Sequence, residues 1–181
     1  VGAGAIGSLF AGHLASVVET KLLVRRKEHA EALNRQGLKV TGKSQLHSRV
    51  TAATDPAQLE PVDLIIVATK ASAVAAAAKH LSGHFPGTTV MTVQNGLGCE
   101  DVIAQHGEWP VIRHSDVEVE YELDTETWMG PWSKGSADFA VTRAAAELIV
   151  SSGLRAKAFE DVRPAQWSKL IFNSVVNSIG A

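Results

Sequence analysis

The stretch VGAGAIGSLFAGHLAS (residues 1–16) joins a glycine-rich turn to a segment with the apolar spacing of a helix. Its glycines follow the pattern G-x-G-x-x-G. In such a turn the first glycine permits the bend, the second lets the backbone approach a pyrophosphate, and the third lets helix and strand pack closely. The free N–H groups at the helix start would hold the phosphates. The stretch predicts a dinucleotide-binding turn, with a purely structural turn as the alternative. The predicted cofactor contacts are Gly2, Ala3, Gly4, Ala5, Ile6 and Gly7.

Strand-like and helix-like segments alternate over residues 1–107. The buried-strand patterns are TKLLVRR, DLIIVATK and TTVMTVQNG, and helical patterns such as KEHAEALNRQG and ASAVAAAAKHLSGHF lie between them. Such alternation is the signature of a parallel sheet with crossover helices. The predicted fold class is α/β, with a Rossmann-type, doubly wound and mostly parallel sheet.

The pattern changes after Pro110. Polar and apolar residues alternate in RHSDVEVEYELDTETWMGPW, which predicts antiparallel strand or extended chain, and a helix and a last strand follow. From Arg163 to Ala181 the chain reads as helix. Because Val1 directly precedes the glycine turn, we expect the strand that feeds the turn to lie before Val1.

The composition is that of a globular protein without a nucleic-acid or membrane partner. Among 181 residues, 45% are hydrophobic and 20% charged, and the formal net charge is -2. That charge gives no electrostatic attraction to nucleic acid or to an anionic membrane, and no apolar run is long enough to span a bilayer. The single cysteine, Cys99, favours a reducing compartment such as the cytoplasm. No metal site is expected, since His80 and His84 lack a third ligand nearby.

The residues after the second strand indicate which nucleotide binds. The strand ends in Arg25 and Arg26, followed by Lys27. An NAD site places an acidic residue about 20 positions beyond the glycines, whereas a guanidinium suits the 2′-phosphate of NADP. Arg25 therefore predicts NADPH as the cofactor. Glu28 is evidence against this prediction, because it lies near the spacing expected of an acid that binds NAD. A basic helix start on the surface is the alternative.

Polar side chains end two of the later strands. VATK ends in Lys70, and TVQNG ends in Gln94 and Asn95. Ligands of open α/β sheets bind beyond the carboxyl ends of the strands, so Lys70, Gln94 and Asn95 are candidate cofactor contacts. Each residue type also has an ordinary role, because Asn95 suits a turn before Gly96 and Lys70 suits a solvated first helical turn.

The segment WSKLIFNSVVNSIG (residues 167–180) carries Lys169, Asn173 and Asn177 at four-residue intervals. At 3.6 residues per turn these side chains fall along one face of a helix. The face offers one ammonium and two carboxamides within an otherwise apolar segment. This face is either an ordinary solvent-exposed helix surface or one side of a binding site for a polar ligand.

In order along the chain, GAGAIG, LLVRR, IIVATKA, VQNGLG and WSKLIFNSVVNSIGA resemble the motifs of the ketopantoate reductase (2-dehydropantoate 2-reductase) family. The resemblance covers nearly the whole chain, and the last two motifs are the specific ones. It implies an NADP-binding Rossmann domain over residues 1–160, with NADPH as the cofactor. It also implies that residues 161–181 form the first helix of an all-helical C-terminal domain that closes over the substrate. Two departures stand out. GEWPVIRHSDVEVEYELDTETWMGPW lacks most of a glycine- and threonine-containing stretch of the family, and the family's later serine and glutamate lie beyond Ala181.

The resemblance also implies residue roles. Lys169 would be the catalytic general acid, Asn173 and Asn177 would contact the substrate, Asn95 would be the asparagine of the N-G-x-G turn, Lys70 the lysine after the strand, and Arg25 the contact to the 2′-phosphate. The implied reaction is the NADPH-dependent reduction of 2-dehydropantoate to pantoate, in the biosynthesis of pantothenate and coenzyme A.

Several alternatives stay open at this point. Another 2-keto acid would suit a reductase of the same superfamily, and a non-catalytic NADP(H)-sensing domain would need the glycine turn and Arg25 without Lys169. The expected partner is a small 2-keto acid; a homodimer is open, because no feature of the sequence decides it. Cys99 stands at a predicted helix start, where a thiolate would be stabilised, but the implied mechanism gives it no role.

Overall fold

The structure, a computed structural model, describes residues 1–94, 97–116, 126–132 and 137–170, with the backbone alone at 112–116. The helices are α1 (Ala5–Leu14), α2 (Lys27–Gln36), α3 (Val74–Leu81), α4 (Cys99–Ala104), α5 (Phe139–Ser151) and α6 (163–170). Single 3₁₀ turns cover Pro56–Gln58 and Ala71–Ala73. None of the described helices has both the length and the apolar character to cross a bilayer.

The strands form three groups of paired strands. They are β1 (Lys21–Leu23), β2 (Leu38–Val40), β3 (Leu46–Ser48), β4 (Thr51–Ala53), β5 (Leu64–Val67), β6 (Thr89–Thr92), β7 (Val111–Asp116), β8 (Thr127–Pro131) and β9 (Ala156–Ala158). Strands β1 and β4 pair in parallel, β2 and β3 form an antiparallel hairpin, and the remaining strands lie in the order β5-β6-β7-β8-β9. In that sheet only β7 and β8 pair antiparallel.

Residues 1 and 2 connect the two parallel groups. The Val1 nitrogen donates to the Ile66 oxygen at 2.6 Å, and the Ala68 N–H donates to the Val1 oxygen at 2.8 Å. On the other side, the Gly2 N–H donates to the Leu23 oxygen at 3.0 Å. Val1 and Gly2 therefore occupy a central strand position between β1 and β5, so the order becomes β4-β1-(Val1)-β5-β6-β7.

A cavity of about 330 Å³ continues from this position towards the other end of the sheet. Leu22 of β1, Leu64 and Ile66 of β5, and Phe10 of α1 line it. The lining of the cavity thus comes from α1 and from both groups of parallel strands that residues 1 and 2 connect.

Apolar cores cover both faces of the sheet, as the doubly wound class predicts. On one face Ile65 and Val67 pack with α3 and α4, and Val74 and Ile103 are each 1% exposed. On the other face α1 and α5 pack on β6 and β8, and Ile149 is fully buried among their side chains. The predicted alternation of strand and helix is confirmed, with a buried layer on each side of the strands.

The segment LKVTGKSQLHSRVTAAT (residues 38–54) forms three strands, because a turn at Gly42 (φ +106°) closes the β2–β3 hairpin and residues 51–53 then pair with β1 instead. One boundary differs from the sequence-based expectation. The alanine-rich helix ends at Leu81, earlier than predicted, because Gly83 adopts φ +79° and breaks the helical path.

Ile149 and its neighbour Val150 give a matched test of the core under α5. Ile149 is 0% exposed and Val150 is 51% exposed. We expect Ile149→Ala to lower the free energy of unfolding by about 2–5 kcal/mol, because it removes buried methyl groups and leaves a cavity. Val150→Ala should change it by less than about 0.5 kcal/mol, as is usual for surface positions. Urea denaturation measures both, and equal losses would contradict the described burial of α5.

Candidate functional site

The glycine turn packs against the carboxyl end of β5. Gly2 adopts φ +91°, and a Cβ at this position would lie 3.1 Å from both the Ala68 oxygen and the Thr69 Cγ2. A Cβ on Gly7 would collide with the carbonyl oxygen of Gly2. The turn therefore requires glycine at these positions for two different reasons, a left-handed backbone at one and close approach of α1 at the other.

Gly4 has a different environment from the other two glycines. It is the N-cap residue of α1, it is exposed, and a Cβ here would have no atom within 4 Å. The N-terminus of α1 has no side-chain cap and no acidic residue in its first turn. Because the first N–H groups of a helix lack intrahelical partners, this end of α1 can hold an anionic group such as a phosphate.

Basic side chains follow β1 beside this turn. Leu23, which accepts the hydrogen bond from Gly2, stands two residues before Arg25. Arg25 is exposed and makes no hydrogen bond or ion pair with any residue in the described ranges. Lys27 lies 3.9 Å from Glu31 within α2, and Glu28 is exposed in the first turn of that helix. The guanidinium and the competing acid are thus both accessible at this edge.

The side chain of Gln94, which follows β6, forms hydrogen bonds with the backbone at the end of β5. Its Nε2 donates to the Val67 oxygen at 2.6 Å and to the Thr69 oxygen at 3.1 Å. Its Oε1 and the Thr69 Oγ1 are buried and have no hydrogen-bond partner among the described residues. Any contact of Gln94 with a cofactor would therefore use Oε1, because the amide nitrogen already binds the backbone. Lys70 is exposed at the start of the following 3₁₀ turn.

Helix α6 carries Lys169. The Asp161 Oδ1 accepts the Arg163 N–H at 2.9 Å and so caps the helix start. Val162, 2% exposed, packs against β8 at Gly130, where an added Cβ would lie 3.0 Å from the Val162 Cβ. Lys169 is half-buried in the last described turn of α6. The predicted site residues Asn95, Asn173 and Asn177 lie outside the described residues.

One buried polar contact was missed in the sequence. Glu100 in the first turn of α4 is 2% exposed, and its Oε1 accepts the Gln166 Nε2 of α6 at 3.4 Å. Gln166 is itself 6% exposed. A signal for it was present, because Gln166 stands three residues before Lys169 and extends the same polar helix face one turn earlier.

Cys99 is half-buried at the start of α4. Burial, and after it the negative charge of Glu100, raise the pKa of the Cys99 thiol above its ordinary value. A helix start alone would stabilise a thiolate, but here the half-buried setting and the adjacent carboxylate act in the opposite direction.

A mostly parallel sheet with helices on both faces and a glycine turn opening at its carboxyl edge defines a Rossmann-type α/β domain. The sequence profile of the family described as ketopantoate reductase PanE/ApbA matches residues 1–134, and the chain belongs to this family. This confirms the resemblance inferred from the motifs.

Curated relatives agree with the family. The chain is 34% identical to a 2-dehydropantoate 2-reductase of Pyrococcus abyssi, over 99% of this chain and 62% of that protein. A protein of the same name from Halobacterium salinarum is 29% identical over 99% of this chain and 63% of the relative. The chain thus spans less than two thirds of the length of these relatives.

Solved structures share the fold. A 2-dehydropantoate 2-reductase of Geobacter metallireducens matches with a TM-score of 0.80 and 25% identity, over 96% of this chain and 61% of that one. A D-mandelate dehydrogenase in a ternary structure with NADH and anilino(oxo)acetate also has a TM-score of 0.80, over 98% of this chain and 61% of that one. At 21% identity the second match supports the fold alone.

Substitution by alanine should affect the melting temperature at Gly7 but not at Gly4. We expect Gly7→Ala to lower the melting temperature, because the new Cβ collides with the Gly2 carbonyl oxygen and forces α1 away from the turn. Gly4→Ala should leave the melting temperature close to wild type, since its Cβ would stand in open space and its φ of -78° suits alanine. Thermal unfolding followed by circular dichroism checks both, and equal destabilisation would show that the turn is packed differently.

Proposed function

We propose that the full-length protein is an NADPH-dependent reductase that converts 2-dehydropantoate to pantoate. Family membership supports this reaction class. The observation that carries the proposal is the hydrogen bond at 3.4 Å from the Gln166 Nε2 of α6 to the Glu100 Oε1 of α4, the helix that follows β6. Because Lys169 stands three residues after Gln166, this bond supports a position of Lys169 near the carboxyl edge of the sheet, where the glycine turn also lies.

The described residues fit a nicotinamide dinucleotide. The open N-terminus of α1 suits the pyrophosphate, and the absence of a side chain at Gly4 leaves room for it. Arg25, exposed after β1, would bind the 2′-phosphate and so favour NADPH over NADH. Lys70, Gln94 and Asn95 are the further proposed contacts. When bound, NADPH supplies the hydride.

Lys169 would act on the substrate carbonyl. When the ketone carbon accepts a hydride, the C=O π electrons move to the oxygen, which becomes negative. An ammonium aimed at that oxygen stabilises the charge and gives up the proton that completes the alcohol. Asn173 and Asn177 would hydrogen-bond the polar groups of the substrate without adding charge, and Asn95 would hold Lys169 or the substrate.

The proposed domain division follows from the same placement. Residues 1–160 would form the cofactor domain, and residues 161–181 would begin the helical substrate domain. The start of α6 at residue 163, directly after the Asp161 cap, is consistent with a boundary here. The fold is shared with a D-mandelate dehydrogenase, so turnover of 2-dehydropantoate should be compared with that of other 2-keto acids, including aromatic ones.

Lys169→Ala tests the proposed general acid. We expect kcat in the full-length protein to fall by about 10²–10⁴-fold, as is typical for loss of a proton-transfer group. The dissociation constant for NADPH should stay unchanged, because Lys169 contacts the substrate carbonyl and not the dinucleotide. Stopped-flow turnover and fluorescence titration measure the two quantities. Lys79→Ala, an exposed lysine of α3, is the control; normal turnover in Lys169→Ala would remove Lys169 from the mechanism and favour a sensing domain.

Arg25→Ala tests cofactor selectivity. We expect the dissociation constant for NADPH to rise about tenfold or more, since a charge-assisted contact to the 2′-phosphate contributes roughly 1.5–3 kcal/mol. The constant for NADH should barely change. Arg35→Ala, at the far end of α2, is the control. If wild-type protein binds NADH more tightly than NADPH, Glu28 and not Arg25 sets the selectivity.

A further inference from the structure

We propose that Glu100 is a positioning residue for Lys169, and that it acts by holding Gln166 and thereby fixing α6 on α4. The inference rests on the proposed function of Lys169, and it adds a residue that none of the motifs assigned to the reaction contains. It concerns the placement of the proposed general acid and not its chemistry.

The burial of the pair supports a specific role. The Gln166 Nε2 donates to the Glu100 Oε1 at 3.4 Å, and the two residues are 6% and 2% exposed. A carboxylate is rarely buried to this extent without polar partners, because its desolvation is costly. The contact joins residues 66 positions apart, so it links two parts of the fold and not neighbouring turns of one helix.

The helix geometry connects this contact to Lys169. Three residues along an α-helix correspond to a rotation of about 300° and a rise of about 4.5 Å. Lys169 therefore lies about 60° around the helix axis from Gln166, on the same side and one turn further on. A rotation or shift of α6 that broke the Glu100 contact would move the Lys169 amine together with Gln166.

Glu100 also lies where the other half of the proposed site begins. Helix α4 starts at Cys99 directly after Gly98, which adopts φ +92° and ends the turn that follows β6. The helix is held on the sheet through Ile103, which is 1% exposed in the same core as Val90 of β6. The Glu100 carboxylate would thus fix the position of α6 relative to the sheet edge on which the nicotinamide would lie.

A purely structural contact makes different predictions from a positioning contact. A structural pair would affect stability while leaving turnover per folded molecule unchanged. A positioning pair should lower kcat with unaltered NADPH affinity, and its effect should disappear when Lys169 is absent. Misplacement of a catalytic group by about 1 Å can cost about 10²-fold in rate, so the effect is measurable even when the fold is intact.

The first experiment uses the full-length protein with Glu100→Ala, Gln166→Ala and the double variant. We expect each to lower kcat by about tenfold or more, with the NADPH dissociation constant unchanged and the double variant no worse than either single one.

Glu100→Gln keeps an acceptor oxygen for Gln166 and should retain most of the activity. In the Lys169→Ala background, Glu100→Ala should cause no further loss. Gln105→Ala, at the exposed C-terminal end of α4, is the control and should leave kcat unchanged. Additive losses, or a further loss without Lys169, would overturn the proposal.

A second measurement does not depend on turnover. Acylation of Lys169 by an amine-reactive N-hydroxysuccinimide ester, quantified on its peptide by mass spectrometry, reports how accessible the Lys169 amine is. Glu100→Ala and Gln166→Ala should raise this rate several-fold, whereas that of exposed Lys79 stays constant. If the wild-type protein reduces no 2-keto acid, the proposed function fails while the acylation result still decides whether Glu100 positions Lys169. An unchanged rate at Lys169 would overturn the positioning role.

Discussion

The absence of a side chain at Gly7 is the constraint on which the site depends. Because only hydrogen fits between α1 and the Gly2 carbonyl oxygen, the first turn of α1 reaches the edge of the sheet beside Ala68 and Thr69. The uncapped N–H groups of that helix then lie next to the carboxyl ends of β1 and β5. A larger residue would separate the helix from the strands and with it the groups that attract an anion.

Helix α6, which carries Lys169, is attached to the rest of the proposed site by a different kind of interaction. Apolar packing of Val162 against Gly130 fixes the start of α6, and the buried Glu100–Gln166 contact fixes its next turn. Apolar contacts have no directional preference, whereas a hydrogen bond depends on the angle between its partners. The polar pair therefore adds a directional contact to the apolar packing at the start of α6, and in the proposed site it would act on the helix that carries the Lys169 amine.

Much of the fold could be predicted from the sequence because it follows from local patterns. The apolar run LIIV and the glycine turn predicted β5 and the start of α1, and both agree with the structure. What could not be predicted depends on contacts between distant segments. The amide of Gln94 is bound to carbonyl oxygens of β5 and its following residues, and the thiol of Cys99 is shielded and lies beside a buried acid. Neither setting can be inferred from neighbouring residues, since burial depends on the tertiary arrangement.

The candidate site also contains both features that follow from local sequence patterns and features that depend on contacts between distant segments. The positions of Gly2, Gly7 and Arg25 follow from spacing along one turn and one strand, while Glu100 has no local pattern that marks it as buried. Lys169 was identified from its register with two asparagines and from the family motif, and its contact with the substrate carbonyl stays a prediction. Polar residues that act through another helix are therefore the ones that a sequence motif is least able to reveal.

The hydrogen bonds of the glycine turn also hold two strands together. Gly2 donates to the Leu23 oxygen at the end of β1, and Ala68, just beyond β5, donates to the Val1 oxygen. A displacement of the turn would therefore be transmitted to both strands, so an anion bound at the N-terminus of α1 would be mechanically coupled to the middle of the sheet.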